Sequence, residues 1–514
     1  MASQLFQTKP IGELLAGAKE EAGGLRRTLG PVNLITLGIG AIIGAGIFVL
    51  TGQAAALYAG PAIVLSFVLA GIGCAFAGLC YAEFASLIPI AGSAYTYAYS
   101  TLGELLAWVI GWALVLEYAF GAATVGSGWT GYLTALLANF GIYIPPQYTA
   151  VPGTHLVFFD HQWQILSNVQ PAIQQAGINP GSLPHVTAIF NLVALLVILV
   201  ITAILVIGVK ESANLNSAVV IVKVGVVLVF IAIAGMFLMK HPSIGPANWH
   251  PFIPPNAGAF GKYGWSGVLR GASVIFFAYI GFDAVSTTAQ EARNPQKDMP
   301  IGIIGSLLIC TVLYITVAGL LTAVVPYSTL NVGAPVAVGV AATGVRWGMI
   351  LVDLGAVCGL GSVMLVMLLG QSRIFYTMSH DGLLPKWAGA VHPRFRTPWL
   401  ASIVVGIPVA ICASLFPVSA LAQLVNIGTL SAFVIVCIGV WVLRRKQPDL
   451  ERPFRTPWVP LVPILGALIS IGLMLGLPAL TWYVFLCWAA FGLLIYFSYG
   501  RSHSQLGRRA AARS

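Results

Sequence analysis

Charged residues are scarce in this sequence: they make up 8% of its 514 residues, whereas 58% are hydrophobic and the mean hydropathy is +0.91. A soluble protein of average composition carries roughly 25% charged residues. This scarcity excludes a water-soluble globular protein and indicates an integral membrane protein with several spans. The first 30 residues hold no apolar run of the signal-peptide type, so we expect a cytoplasmic tail there.

Motifs for metal, disulfide and enzyme chemistry are also missing. None of the seven cysteines belongs to a C-x-x-C pair, and all of them fall in apolar segments. The sequence contains no H-E-x-x-H, no clustered histidine and aspartate, and no G-x-S-x-G. We therefore expect no cofactor, no metal site and no enzymatic activity. A channel is not indicated either, because a filter motif is missing.

Long apolar runs are what the sequence does have. A helical span needs about 20 apolar residues, and twelve runs satisfy this requirement. The third and eighth runs are long enough to tilt. The predicted spans are residues 33–57, 61–88, 104–137, 187–207, 215–239, 265–289, 300–325, 347–377, 399–416, 420–443, 459–477 and 480–499.

Lysine and arginine predict the orientation of these spans. Residues 138–186 contain neither, whereas 20 of the 25 basic residues fall in segments on the opposite side. By the positive-inside rule both termini are cytoplasmic, in an inner or plasma membrane, and residues 138–186 form an extracytoplasmic insertion. We expect this insertion to be an ordered cap with some helical content. The net charge of +10 is thus explained by basic cytoplasmic segments, which set the orientation of the protein in the membrane and can contact lipid headgroups. It does not indicate nucleic-acid binding.

Glycine interrupts two spans at corresponding positions. Residues 38–48 read GIGAIIGAGIF, with Gly44 and Gly46 in mid-span, and Gly281 interrupts the sixth span. A glycine inside a helix costs roughly 1 kcal/mol relative to alanine. The two interruptions are five spans apart, and an odd number of spans per repeat inverts the second repeat. Paired interruptions of this kind indicate the binding site of a transporter.

Two interrupted helices suit a zwitterion. Half-helix N-termini attract a carboxylate and half-helix C-termini attract an ammonium group, so the substrate predicted is an α-amino acid. The alternative is that Gly44 and Gly46 only let helices pack closely, and the G-x-x-x-G spacing of Gly40 and Gly44 is typical of such packing.

Two charged residues lie deep within spans. Lys223 is about nine residues inside the fifth span; because burial disfavours a charged amine, it is a candidate proton-coupling group. The alternative is a lysine that snorkels or has a structural partner. Glu117, in the middle of the third span, either selects a cationic substrate side chain or pairs with a buried partner. Asp283 follows the interruption of the sixth span and is a candidate helix cap.

Four segments together resemble the amino acid–polyamine–organocation superfamily, and more narrowly its bacterial cationic amino acid transporter branch. They are GIGAIIGAGIFVLTG at 38–52, CYAEFASLIPIAGSAYTYAY at 80–99, FFAYIGFDAVSTTAQEARNPQKDMPIGI at 276–303 and GQSRIFYTMSHDGLLP at 370–385. The resemblance implies an all-α membrane protein with the LeuT-type fold: twelve transmembrane helices in a 5+5 inverted repeat plus two C-terminal helices.

The resemblance also implies roles for individual residues. The substrate carboxylate would meet the amides of Gly44, Ala45 and Gly46. Its amino group would meet carbonyls near Ile42, Phe277, Ala278 and Ile280, and Phe277 would close the pocket. Lys223 matches the family's fifth-span lysine, which implies proton rather than sodium coupling, and Glu117 matches an acidic position of this branch. Spans 1, 2, 6 and 7 would rock against spans 3, 4, 8 and 9.

We therefore expect a proton-coupled amino acid permease for cationic or for a broad range of amino acids. The alternatives are a symporter for small neutral amino acids, an amino acid exchanger and a membrane sensor. The domains expected are a tail at 1–30, a transport core at 31–443, helices 11 and 12 at 444–500 and a tail at 501–514. The core would contain repeats at about 31–239 and 264–443. Partners would be the substrate, lipid and a possible small membrane subunit.

Overall fold

A computed structural model describes residues 5–10, 12, 29–88, 93–159, 162–208 and 213–508. Most of the tail expected at 1–30 and the end of the C-terminal tail lie outside the described residues. The α-helices of eight residues or more are α1 Pro31–Ile42, α2 Ile63–Leu87, α3 Ser93–Thr101, α4 Glu104–Val115, α5 Gly121–Ala138, α6 Leu166–Gln175, α7 Leu192–Ile207, α8 Ala213–Lys240, α9 Gly264–Ile275, α10 Pro295–Val324, α11 Pro335–Ala342, α12 Arg346–His380, α13 Trp399–Leu415, α14 Val418–Lys446, α15 Leu461–Leu475 and α16 Ala479–Ile495.

Short helical pieces complete several of these helices. The π-helical pieces are Gly46–Leu50, Ala55–Ala59, Leu116–Phe120 and Tyr496–Gly500. The 3₁₀ pieces are Gly60–Ala62, Pro146–Tyr148, Pro180–Ser182, Phe276–Tyr279, Asp283–Glu291, Tyr327–Thr329 and Lys386–Gly389, and the short α-helices are Thr51–Ala54, Ile244–Asn248 and Arg501–His503. Such pieces within longer helices often mark functional positions.

The described residues contain eight helical runs that are long and apolar enough to cross a membrane. They are Gly46–Leu87, Glu104–Ala138, Ala218–Lys240, Gly264–Ser286, Pro295–Val324, Arg346–His380, Val418–Lys446 and Ala479–Arg508. The helices α1, α7, α13 and α15 are apolar but shorter. The first run is interrupted at Gly60, whose φ of +62° and ψ of −147° lie outside the right-handed helical region and favour glycine. The protein is therefore an integral membrane protein, as the scarcity of charge predicts.

The insertion between α5 and α7 contains a small antiparallel sheet. Its strands are β1 His155–Phe159, β2 Gln162–Ile165 and β3 His185–Thr187, in the order β2-β1-β3. Val157, Val169 and Ile173 form a separate small core between the sheet and α6. The sequence predicts some helix here but no strand, so the all-α description holds for the membrane-spanning part and is wrong for the insertion. Its strands are only three to five residues long, too short for a clear alternating pattern.

The membrane helices pack in pairs that lie far apart in the sequence. The closest-packed pairs are α2 with α10, α5 with α12, and α7 with α13. α1 packs against both α10 and α8. α9 packs against α2, and α1 also contacts α12, so α2, α8, α10 and α12 lie next to the two interrupted helices.

Candidate functional site

The first interruption lies between α1 and the helical piece that starts at Gly46. α1 ends at Ile42, and Ile43 is extended, with φ −71° and ψ 101°. The first N–H groups of a helix have no partner within it. The amides around Ala45 and Gly46 therefore form a positive end that can bind an anionic group.

The second interruption lies between Tyr279 and Asp283. α9 continues as a 3₁₀ turn over Phe276–Tyr279, Ile280 is extended, and Gly281 has a φ of +115°. This φ lies in a region that favours glycine. The last carbonyls of a helix have no partners within it, so this end can bind a cationic group.

The two interruptions are in direct contact. Gly46 packs on Ala278 so closely that a Cβ atom at position 46 would overlap the Cα atom of Ala278. A Cβ atom at position 281 would lie 2.8 Å from the carbonyl oxygen of Ala41. Residues 41–50 and 276–286 are all buried. The structure thus brings Ile42, Gly44, Ala45, Gly46, Phe277, Ala278 and Ile280 into one buried region.

Small and apolar residues surround the first interruption. Val363 of α12 is the nearest neighbour of a Cβ atom placed at Gly44, at 3.4 Å. Gly128 of α5 faces Ala45 and Val49. These contacts supply an apolar surface next to the free amides.

Lys223 of α8 is fully buried, and its Nζ donates a hydrogen bond of 2.7 Å to the carbonyl oxygen of Gly40. Its aliphatic stem lies against Gly359 of α12, where a Cβ atom would be 3.0 Å from Lys223 Cγ. The ammonium group thus has a partner on α1, four residues before Gly44. This contact is compatible with both interpretations of Lys223, as a proton-coupling group and as a residue with a structural partner.

Glu117 lies in the π-helical piece between α4 and α5 and is 1% exposed. Thr429 of α14 donates a hydrogen bond of 2.8 Å to Glu117 Oε2. Glu117 is eleven residues before Gly128, which is roughly 16 Å along a helix. Its carboxyl group is therefore displaced along the third span from the contact between the two interruptions, and it has the buried partner that the sequence left as an alternative.

Asp283 starts the helical piece after the second interruption. Tyr118 donates a hydrogen bond of 3.3 Å to Asp283 Oδ2. The backbone amides of Asp283 and Ala284 also act on its carboxylate. The N-cap position is occupied by Phe282 and this helical piece has no side-chain cap hydrogen bond, so the prediction that Asp283 caps the helix is wrong. The side chain of Glu117 interacts with the same carboxyl group.

Several polar residues of the site gave no signal in the sequence. Tyr314 of α10 donates a hydrogen bond of 2.9 Å to the carbonyl oxygen of Ile42. Asn426 of α14 donates bonds of 2.7 and 2.9 Å to the carbonyls of Ser273 and Val274 near the end of α9. Tyrosines and asparagines in apolar spans are the only sequence signal for such contacts, because their partners lie on helices distant in the chain.

The chain also links its two interrupted helices just before α1. Leu29 donates a backbone bond of 3.0 Å to Glu291, and Arg293 donates one of 2.8 Å to Leu29. This short bridge joins the chain before α1 to the chain after the second interruption, so the two interrupted helices are held together at this end as well.

The comparisons with known proteins agree with this architecture. The family model described as amino acid permease matches residues 29–503. The chain is 45% identical to the methylthioribose transporter of Bacillus subtilis and 44% identical to that organism's branched-chain amino acid permease BcaP, covering 98% and 99% of this chain and 100% of each relative. It is 36% identical to the vacuolar cationic amino acid transporter 4 of Arabidopsis thaliana, over 83% of this chain and 64% of that relative.

A solved structure shows the same fold at low sequence identity. The crystal structure of MhsT in complex with L-phenylalanine matches with a TM-score of 0.57. The match covers 88% of this chain and 100% of MhsT at 13% identity. This likeness concerns the fold alone.

Proposed function

The chain belongs to the amino acid permease family of the amino acid–polyamine–organocation superfamily, and we propose that it is a proton-coupled symporter of amino acids. Because its relatives are transporters, it is a transporter and not an enzyme. The observation that carries the proposal is the buried contact of Gly46 with Ala278, which joins a helix N-terminus to a helix C-terminus.

The substrate lies between the two interruptions. Its carboxylate accepts hydrogen bonds from the amides of Gly44, Ala45 and Gly46. Its ammonium group binds carbonyl oxygens near Ile42, Phe277, Ala278 and Ile280. Phe277 closes the pocket over the bound substrate.

Lys223 couples transport to the proton gradient. Its ammonium group occupies a position between α1 and α12 and holds the carbonyl of Gly40. Loss of the proton removes a positive charge beside the first interruption, so proton and substrate are bound and released together. No sodium site is required.

The architecture that serves this function is twelve spans with both termini cytoplasmic. Repeats at about 31–239 and 264–443 are inverted relative to each other, and helices 11 and 12 follow at 444–500. The packing of α2 on α10, α5 on α12 and α7 on α13 supports this layout, because each pair joins spans that are five apart. Spans 1, 2, 6 and 7 rock against spans 3, 4, 8 and 9.

The substrate side chain is apolar, of the branched-chain class. Val363, Ala278 and Gly128 line the first interruption, and a full-length relative is named a branched-chain amino acid permease. A cationic amino acid is the second candidate. The observation that favours it is the similarity to the vacuolar cationic amino acid transporter 4 of Arabidopsis thaliana, of which the match covers 64%.

The test is ligand-induced stabilisation of the purified full-length chain. The melting temperature is measured with leucine, alanine, arginine or methylthioribose at rising concentrations, because a ligand that binds the folded state raises it. We expect leucine to give the largest shift. A shift with arginine alone supports the second candidate, and a shift with methylthioribose alone contradicts an amino acid substrate.

A further inference from the structure

Glu117 and Asp283 bring two carboxyl groups together inside the membrane. Both residues are 1% exposed. Glu117 belongs to the third span and Asp283 to the helical piece after the second interruption, and their side chains interact. Two carboxylates that face each other in a low-dielectric interior repel strongly, and such pairs commonly hold one proton between them.

The donors around the pair are distributed unequally. Asp283 accepts a hydrogen bond from the hydroxyl of Tyr118, and the backbone amides of residues 283 and 284 also act on its carboxylate. Glu117 accepts a hydrogen bond from the hydroxyl of Thr429, through its Oε2 atom. Glu117 Oε1 is buried and has no donor within the described part of the chain. An ionised Glu117 would therefore leave one charged oxygen unsatisfied against another carboxylate, which is costly.

A proton on Glu117 Oε1 removes this conflict. The protonated oxygen becomes a donor toward Asp283, and Asp283 remains the ionised member with its own donors in place. We propose that Glu117 binds a proton that it shares with Asp283, and that this pair is a proton-binding site separate from Lys223.

The described groups that face this pair do not supply a compensating charge to Glu117. They are Tyr81 of α2, Tyr97 of α3 and Tyr118, all of which are neutral hydroxyl groups, and Thr429. Arg373 of α12 acts on Tyr118, but it is exposed. The ion pairs found within the described ranges do not include Glu117.

The position of the pair gives the shared proton a mechanical role. It joins the π-helical piece of the third span to the start of the helical piece after the second interruption. Protonation therefore holds this part of the sixth span against the third and tenth spans, and loss of the proton releases it by repulsion. This role rests on the proposed function, whereas proton binding itself does not.

The test is infrared spectroscopy of the full-length chain, without substrate, in an ester-free detergent at neutral pH. A carboxylic acid has a C=O stretching band that a carboxylate lacks. Labelling the side chains of glutamate alone with ¹³C shifts only bands from glutamate, so aspartates such as Asp353, which is buried in α12, cannot contribute. We expect one glutamate-derived acid band per chain, lost completely in Glu117→Gln and kept in the exposed control Glu451→Gln.

Two results would overturn the proposal: no glutamate-derived acid band in the unmodified chain, or a band that persists in Glu117→Gln. If that variant does not fold, Asp283→Asn replaces it. Because the side-chain amide introduced by this substitution is a weaker acceptor than a carboxylate, the band must then shift in frequency, and an unchanged band also overturns the proposal. The experiment measures proton binding and not transport. Its result can therefore be interpreted even if the chain turns out not to be a proton-coupled symporter.

Discussion

Lys223 Nζ lies 2.7 Å from the carbonyl oxygen of Gly40, and this bond joins the fifth span to α1 just before its interruption. A buried carbonyl at the end of a membrane helix needs a donor or a cation. The lysine supplies both in one side chain. The ammonium group thus holds the last turn of α1 just before the interruption.

Replacing Lys223 by methionine should separate binding from coupling. Methionine keeps the apolar stem against Gly359 but cannot donate to Gly40. We expect that a proton gradient no longer drives accumulation, so that the internal substrate concentration only reaches the external one. Exchange of substrate with preloaded vesicles should persist. Gradient-driven accumulation by Lys223→Met, measured in proteoliposomes, would show that this lysine is a structural partner only.

Replacing Gly46 by alanine should weaken substrate binding. The added Cβ atom overlaps Ala278, and overpacking of this kind costs roughly 1–3 kcal/mol. This corresponds to about a 5- to 150-fold increase in the dissociation constant, measured by titration calorimetry with the ligand that stabilises the unmodified chain most. Gly472→Ala is the matched control, because a Cβ atom at position 472 meets no described residue within 4 Å.

Replacing Gly281 by alanine should lower the stability of the whole chain. Its φ of +115° is unfavourable for any residue with a Cβ atom, and the carbonyl of Ala41 leaves no room for one. We expect a loss of about 1–3 kcal/mol, seen as a lower melting temperature without ligand. The control Gly235→Ala adds a Cβ atom into space that the described residues leave open, and an equal loss there would contradict this account.

Replacing Glu83 by glutamine should destabilise the chain without changing proton coupling. Glu83 is fully buried at the end of α2 and binds Arg444 at 2.8 Å and Arg452 at 3.3 Å. Removing the charge of one partner from a buried ion pair costs roughly 3–5 kcal/mol. We expect a lower melting temperature and an unchanged ratio of protons to substrate; a changed ratio would implicate Glu83 in coupling.

The sequence alone identifies the residues that are energetically unfavourable inside an apolar membrane helix. Glycines inside an apolar helix and a lysine nine residues from a span end are costly, so each demands an explanation from the sequence alone. The fold places Gly46, Gly281 and Lys223 around one buried region. Local cost alone is enough to single these residues out.

The sequence could not predict their partners. Tyr314, Asn426 and Thr429 reach groups on other helices, and no local pattern records which carbonyl or carboxyl a side chain will meet. For Glu117 the sequence does not distinguish between selection of a cationic substrate side chain and pairing with a buried partner. Only the packing of α14 shows that Thr429 is such a partner. The small sheet in the insertion escapes prediction because its strands are short.

Proton-coupled symport is tested most directly by the uptake of labelled leucine into proteoliposomes that contain the full-length chain. An inward proton gradient, an inward sodium gradient and no gradient are compared, with Lys223→Met in parallel. Proton-coupled symport predicts accumulation above the external concentration with the proton gradient only, and none in the variant. Accumulation with sodium, or exchange without net uptake under any gradient, would contradict proton-coupled symport.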